Sequence, residues 1–490
     1  MKKSNPLSKS TLMRGMQCQK NLWLHLYQSN LEPKPDAATQ MQFDEGNEVG
    51  ELARTHFNGG ELINEPYWEF DKAHAATQAL IKGGSTIIFE AAFLVDGLFA
   101  RADILKKDKS GWNLIEVKKS ARVKDYHYQD AAVQTHIIEL AGLKINSVSI
   151  MHINNKVTYP ELNGLFNIED ITVEVRSLQK IIQETIIASK SVAHAKYEPK
   201  IKIGPQCLEP FECPFKQYCW KNVPEKSVFA LPNLHTNKKW ELFRSGKIAI
   251  KDLDASKFKD NTRRAIEATK ANKVYVDNKA IVKELKKWEW PLYFFDFETL
   301  GPAIPRYNGT HPYDQIPFQF SCHVMKSPES KTLEHFEYLH TETSDPRAPL
   351  IEAMFKGFGG VGSIVAYNQS FEIGVIKKLI EFDKNQELPL LSLIERFVDP
   401  LPIFRAHVYH PEFLGSFSIK SVGPALIGPK LSYKNLPIND GGKAQAVADQ
   451  LLKGKFSEAD STVAEVNLLE YCRQDTLAMA ELVKWLFSIA

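Results

Sequence analysis

Asp103, in RADIL, is followed thirteen residues later by Glu116 and, two further on, Lys118, in IEVKKS. In a strand, residues two apart share a face. Glu116 and Lys118 then project together, and a neighbouring strand can bring Asp103 beside Glu116. Two converging carboxylates make an oxygen-rich site for a hard cation such as Mg²⁺ or Mn²⁺. A cation held there lowers the pKa of bound water and polarises a phosphoryl oxygen. Lys118 would orient that water or offset charge in the transition state. By itself the pattern is weak, because a surface hairpin can carry the same three residues by chance.

A second acidic set lies near the other end. YFFDFETL places Asp296 and Glu298 on one face of one strand. SIVAYNQSFEIGVIKKLI runs from a strand into a helix, with Asn368 closing the strand and Glu372 opening the helix. FVDPLPIFRAH and FSIKSVGPAL follow. In the last helix, LLEYCRQDTLAMAELVKWL, Tyr471 and Asp475 are four apart and face one side. A lone D-x-E is ordinarily an exposed pair of acids, and the whole ordered series is far more specific. Tyr293, Phe294, Phe295 and Phe297 read as core rather than as base-stacking surfaces.

Three of the six cysteines fall at equal spacing in GPQCLEPFECPFKQYCW: Cys207, Cys213 and Cys219. Six cysteines in 490 residues do not make a disulfide scaffold, and in a reducing compartment such a cluster suggests a metal. Four thiolates can hold a 4Fe–4S cluster or a tetrahedral Zn²⁺. Zinc sites usually carry C-x2-C pairs, which are absent here, and unligated thiols remain the third reading. Cys322 and Cys472 look like ordinary buried cysteines.

The elements that must position these residues separate into three regions of an α/β chain. Residues 1–225 mix strands and helices: STIIFEAAFLVDGLFARADILKKD pairs two strands, GWNLIEVKKS is a third, YQDAAVQTHIIELAG is helical, and SVSIMHIN is extended again. Residues 226–288 read as a connector of short helices. Residues 289–490 open on the apolar strand PLYFFDFETL and close on a long helix from about Thr462.

Net charge is +2, so the chain as a whole makes no electrostatic case for nucleic acid. From His235 to Trp290, however, 15 Lys+Arg stand against 8 Asp+Glu. Such a segment can track phosphates, or it is a solvated connector. The absence of 18 consecutive apolar residues argues against a membrane span. The basic start, MKKSNPLSKSTLMRG, has no following apolar stretch of signal-peptide type, which leads to the expectation of a cytoplasmic protein.

The Asp103, Glu116 and Lys118 pattern resembles the PD-(D/E)XK nucleases, most closely their RecB-like branch. That branch usually adds a glutamine on the following helix, where Gln134 stands. It also often carries a helical histidine as a metal ligand. Gly50 occupies that place here, with Glu48 or Glu51 as weak substitutes, and Ile138 replaces a common tyrosine. Some RecB-like members hold a 4Fe–4S cluster with one cysteine before the core and three after it. The resemblance thus implies Cys18 with Cys207, Cys213 and Cys219, although the first gap is wider than usual. By loop closure such a cluster would restrict the unfolded chain strongly.

Residues 290–490 resemble the DEDD 3′–5′ exonucleases, which have a ribonuclease-H-like fold, and Tyr471 places the resemblance with the DEDDy subgroup. Asp296, Glu298, Glu372 and Asp475 would hold two divalent ions about 4 Å apart, and Tyr471 would orient the attacking water. The second acid is usually Asp, and here it is Glu372. The whole arrangement resembles bacterial proteins that fuse these two modules. That resemblance supports the architecture, while the two nuclease-like modules and the basic connector lead to the expectation of a nuclease with two active sites, acting on DNA in repair or defence. One alternative is a nucleic-acid-binding or helicase-docking scaffold with inert sites; another is an RNA exonuclease.

Overall fold

A run of apolar residues from Ile87, rich in β-branched and aromatic side chains and broken by Gly97, forms paired strands of the first unit. The computed structural model describes residues 5–490, and the first four residues of the basic start lie outside the described residues. Two units divide the chain. The first takes the residues up to Pro35, then Thr39–Lys221 and Pro302–Tyr313; the second takes Asp36–Ala38, Asn222–Gly301 and Asp314–Ala490.

Among the described residues, the first unit holds β1 (Leu7–Ser8), β2 (Glu61–Leu62), β3 (Ile87–Val95), β4 (Leu98–Lys107), β5 (Trp112–Lys118), β6 (Ile145–Ile153) and β7 (Phe166–Asp170). They form one sheet in the order β2-β3-β4-β5-β6-β7, with β1 alongside β4. The β3–β4 hairpin turns on Asp96 and Gly97, both at positive φ, as a tight hairpin requires. β5 and β6 run parallel, so a crossover must join them, and the helix Asp125–Leu140 provides it. That helix buries residues around most of its circumference, Asp130 and Gln134 included. The segment Pro302–Tyr313 packs into this unit: Ala303 sits in a cluster with Val49, Ile153 and Leu165, and its N–H donates to Glu45 at 2.7 Å.

The second unit holds β8 (Tyr275–Val276), β9 (Leu292–Leu300), β10 (Ile316–Met325), β11 (Glu334–Leu339), β12 (Ile364–Val365), β13 (Phe397–Val398) and β14 (Val408–Tyr409). Its main sheet runs β11-β10-β9-β12-β13. β9, β10 and β11 are antiparallel, whereas β12 and β13 run parallel to β9. Every residue of β10 is buried, as in a strand covered on both faces. Phe294 and Phe295 are fully buried, and Tyr293 and Phe297 nearly so. The long helix begins at Glu458, four residues before the expected start, because Ser457 caps it by accepting from the Asp460 N–H.

The stretch read as a connector does more than link. Its helices Thr236–Arg244, Asp260–Ala271 and Asn278–Leu285 bury Leu242, Ile266, Ile281 and Leu285 in a core shared with Leu292, Phe294, Phe404 and Leu486. Charge and core alternate along amphipathic helices, so a basic tally did not exclude packing. No helix of the described residues is long and apolar enough to cross a membrane.

Candidate functional site

The first cluster forms where the β4–β5 ladder stops. Ile104 pairs with Ile115, and the next register position would oppose Asp103 to Glu116. Instead the Asp103 carboxylate accepts the Val117 N–H at 2.7 Å. Glu90 stands opposite Asp103 on β3, between the paired residues Phe89 and Ala91, at φ 57°. A glutamate in the left-handed region costs on the order of 1–3 kcal/mol, and such strain concentrates at functional sites.

Glu116 is held from three directions. Lys118 Nζ donates to its Oε1 at 2.7 Å, Lys9 Nζ donates to the same oxygen at 2.8 Å, and the Gln134 amide donates to Oε2. Both ammonium groups also reach Asp130 Oδ2, Lys118 at 2.5 Å and Lys9 at 3.1 Å. Burial would push the Glu116 carboxyl up, but Lys118 and Lys9 overcome it and hold it well below the usual range. Burial and then the Glu116 charge push Asp103 the other way, well above its ordinary value. Glu90 is also raised, by burial acting against Arg101 and Arg54. The Gln134 Oε1 is buried without a hydrogen-bond partner. Carboxylates beside an unmet oxygen suit a hard cation.

The structure thus gathers Asp103, Glu116, Lys118 and Gln134. At Gly50, in the helix Ala37–Thr55, a Cβ would meet open space, and Glu51 is exposed. Lys9, Glu90 and Asp130 were missed. Lys9 lies 107 residues from Glu116, so no spacing argument reaches it. Asp130 had a signal: it stands four residues before Gln134, on the same helical face.

The second cluster lines a cleft of about 810 Å³ that contains Asp296, Glu298, Asn368, Glu372, Arg405, Tyr471 and Asp475. Asp296 and Glu298 come from β9, Glu372 from the first turn of the helix Ser370–Phe382, and Tyr471 and Asp475 from the helix Glu458–Ile489. Asn368 adopts φ 75°, and Asp399 fixes the turn by accepting the N–H groups of Asn368 and Gln369 at 3.1 Å each and of Leu401 at 2.8 Å. Asp399, from the FVDPLPIFRAH stretch, therefore acts on Glu372 through the backbone that carries it. Gly415, at φ 80°, lines the same cleft, and a Cβ there would meet the Ala230 carbonyl at 2.4 Å.

Burial and crowding oppose the ionisation of these acids. Glu298 is pushed up to about 8 by burial and then by Asp475. Glu372 is pushed up to about 8 by burial, with Asp399 adding. Asp296 rises well above its usual value through burial, then Asp475, Glu372 and Glu298. Asp475 is raised by burial although Tyr433 donates to its Oδ1 at 2.5 Å. The buried Glu372 Oε2 has no hydrogen-bond partner. Asp296, Glu298 and Cys472 each bring one ligand atom to within 4.8 Å of the others. Crowded buried carboxyl groups with an unpartnered oxygen make a donor set that could hold a divalent cation. Burial and the nearby carboxylates raise the Tyr471 hydroxyl too, so it stays a proton donor. Lys420 and Tyr433 were not singled out in the sequence, although Lys420 lies in FSIKSVGPAL.

Cys18, Cys207 and Cys219 lie close enough to Cys213 for their charges to act on its thiol. Burial pushes the Cys213 thiol up to about 11, and Cys18, Cys207 and Cys219 add to the rise. Cys219 is raised by burial against Lys20, with Cys207 and Cys18 contributing. Gln17, next to Cys18, pins this arrangement by donating to the carbonyls of Gln206 at 3.0 Å and Phe211 at 2.7 Å. The Cys213 N–H donates to the Cys207 carbonyl at 2.9 Å.

Residues 293–418 match a family model described as "Domain of unknown function (DUF2779)". The chain is 24% identical over 207 residues to "Uncharacterized protein MG366" of Mycoplasma genitalium, covering 39% of this chain and 31% of that protein. It is 25% identical over 203 residues to the "Uncharacterized protein MG366 homolog" of Mycoplasma pneumoniae, covering 38% of this chain and 30% of that one. The chain thus spans under a third of the length of these curated relatives. A solved structure described as "Crystal structure of SSO0001" is 15% identical, covers 46% of this chain and 90% of that chain, and has a TM-score of 0.23. A likeness at that TM-score establishes no shared fold.

Proposed function

We propose that this chain is a metal-dependent nuclease with two active sites, hydrolysing phosphodiester bonds in DNA, in repair or in defence against foreign DNA. The observation that carries the reading is the second cluster. Four carboxylates from three separate segments share one cleft, two of them pushed up to about 8, and Glu372 Oε2 has no partner. The sheet order β11-β10-β9-β12-β13, with its three antiparallel strands, supports a ribonuclease-H-like fold for this unit. The β4–β5 cluster and its following helix support the RecB-like reading of the first.

Asp296, Glu298, Glu372 and Asp475 would hold divalent ions in one site, and Asp103 and Glu116 in the other. Such ions, when bound, supply a lowered water pKa and offset charge on the phosphate. The chain's own part in the second site is to hold Asp475 through Tyr433 and to offer the protonated Tyr471 hydroxyl to a water. In the first site, Lys118 stands where it can orient a water beside Glu116. Cys18, Cys207, Cys213 and Cys219 would hold a 4Fe–4S cluster with a structural role, joining the helix Lys9–Gln17 to the cysteine loop.

The test is cleavage of single-stranded DNA, end-bearing duplex and RNA by the full chain with Mg²⁺ or Mn²⁺. Asp296→Ala and Glu116→Ala should each remove a separable activity, and unchanged cleavage by both variants would sink the reading. Anaerobic purification with iron and sulfide assays decides the cysteines, with zinc or bare thiols as the contrary results. A second reading has one observation behind it. Lys9 fills part of the first cluster, as in a site that binds nucleic acid or docks a helicase without cutting. DNA binding in chelator, with no product in Mn²⁺ from an Asp296→Ala chain, would favour it.

A further inference from the structure

Lys420 is the second residue of the helix Ile419–Leu426, and its ammonium lies near two tyrosines. Its ammonium is 4.9 Å from the Tyr433 ring centroid and 4.7 Å from that of Tyr471. It donates to the Tyr471 hydroxyl at 2.8 Å and, more weakly, to the Asn439 carbonyl at 3.4 Å. An ammonium group has protons and no lone pair, so the phenol oxygen must be the acceptor in that contact. The single phenol proton is then left for an acceptor on the other side, where the Asp475 carboxylate stands. The Tyr433 ring attracts the cation by its quadrupole, and Tyr471 holds it through the hydroxyl oxygen. Tyr433 in turn donates to Asp475.

We propose that Lys420 is a positioning residue of the second site: it takes a lone pair of the Tyr471 hydroxyl, directs that hydroxyl's proton toward the carboxylates and the attacking water, and serves as a resident positive charge beside the metal ligands. The inference rests on the nuclease reading and adds to it a residue outside the acidic series. Its charge acts on Asp296, Glu298 and Asp475, each of which it pulls toward the ionised form.

Two effects of removing Lys420 then have opposite signs. Turnover should fall because Tyr471 loses its fixed orientation. Divalent-ion binding should tighten because a like charge has left the site. A damaged fold would weaken both.

The experiment uses the full chain in a Glu116→Ala background, so that cleavage reports the second site, with a single-stranded oligonucleotide as substrate. Lys420→Met should lower kcat about 30-fold with KM within about twofold, and Lys420→Arg should recover part of the loss. Lys420→Met combined with Tyr471→Phe should be no slower than Tyr471→Phe alone, since residues acting through one another do not add. Calorimetric titration with Mn²⁺ should show about fivefold tighter binding by Lys420→Met and no change for Tyr471→Phe. Undiminished kcat in Lys420→Met, losses that multiply in the double variant, or weaker Mn²⁺ binding would overturn the inference. A parent chain that binds Mn²⁺ but cuts nothing would instead overturn the nuclease reading, and the Mn²⁺ titration would still decide the role of the Lys420 charge.

Discussion

The two acidic clusters solve the problem of buried charge in opposite ways. In the first, two lysines bridge Glu116 and Asp130, and Glu116 stays ionised without outside help. In the second, four acids crowd together, and burial raises all four even though Lys420 draws Asp296, Glu298 and Asp475 back toward ionisation. One site is compensated from within; the other is left wanting positive charge. Buried charges must be paired or neutralised. The first cluster pairs Glu116 with lysines while Asp103 is raised beside it, whereas in the second all four acids are raised.

The sharpest way to break this contrast is activity. Asp296→Ala should lower cleavage by the second site at least about a hundredfold, and Glu116→Ala should do the same for the first, each leaving the other intact. Oligonucleotide assays on each variant read this directly. Next comes stability without metal. Lys118→Met should destabilise the chain by about 2–3 kcal/mol, less than a fully broken buried pair because Lys9 still reaches both carboxylates. Glu372→Gln should stabilise it by about 1–2 kcal/mol at pH 8, by removing a proton that folding must otherwise bind. Urea titrations in chelator measure both, and shifts of the same sign would erase the distinction.

A pH series sharpens it further. Glu298 and Glu372 have folded values near 8 against 4.5 for the free side chain, so the folded state binds more protons between those limits. Their contribution to stability is complete below about 4.5 and is lost as pH rises toward 8. Melting temperature in chelator should therefore fall over that window, and Mn²⁺ should restore it at pH 8. Glu116, with its depressed value, contributes in the reverse sense: present above 4.5 and lost only as acid reaches its folded value. The smallest expected effect is that of Asp399→Ala. It removes the acceptor from three N–H groups and should cost about 1 kcal/mol, with kcat lowered less than tenfold because the residue acts on Glu372 through the turn before it and by charge at a distance.

Legibility in the sequence followed the reach of local periodicity. The two-residue period of a strand put Glu116 and Lys118 on one face, and the Tyr471–Asp475 spacing put both on one side of a helix. The strands and helices carrying both clusters appeared where those patterns lay. Lys9 was invisible because its partners lie over 100 residues away. Glu90 looked like an ordinary strand residue, and only its positive φ marks it. Lys420 sat in a quoted stretch, but its meaning comes from rings that the fold brings beside it. The basic tally over residues 235–290 misled in another way, since charged faces say nothing of the apolar faces behind them.

The segment Pro302–Tyr313 leaves β9 and β10, strands of one unit, yet its backbone is laced into the other by the Ala303–Glu45 bond and by Tyr159, which exchanges hydrogen bonds with Gly309 and Thr310. A fragment trimmed at Lys221 would carry its acids, lysines and cysteines but lack this patch over Val49 and Ile153. Assigning work to either half therefore calls for point substitutions in the intact polypeptide rather than scissors.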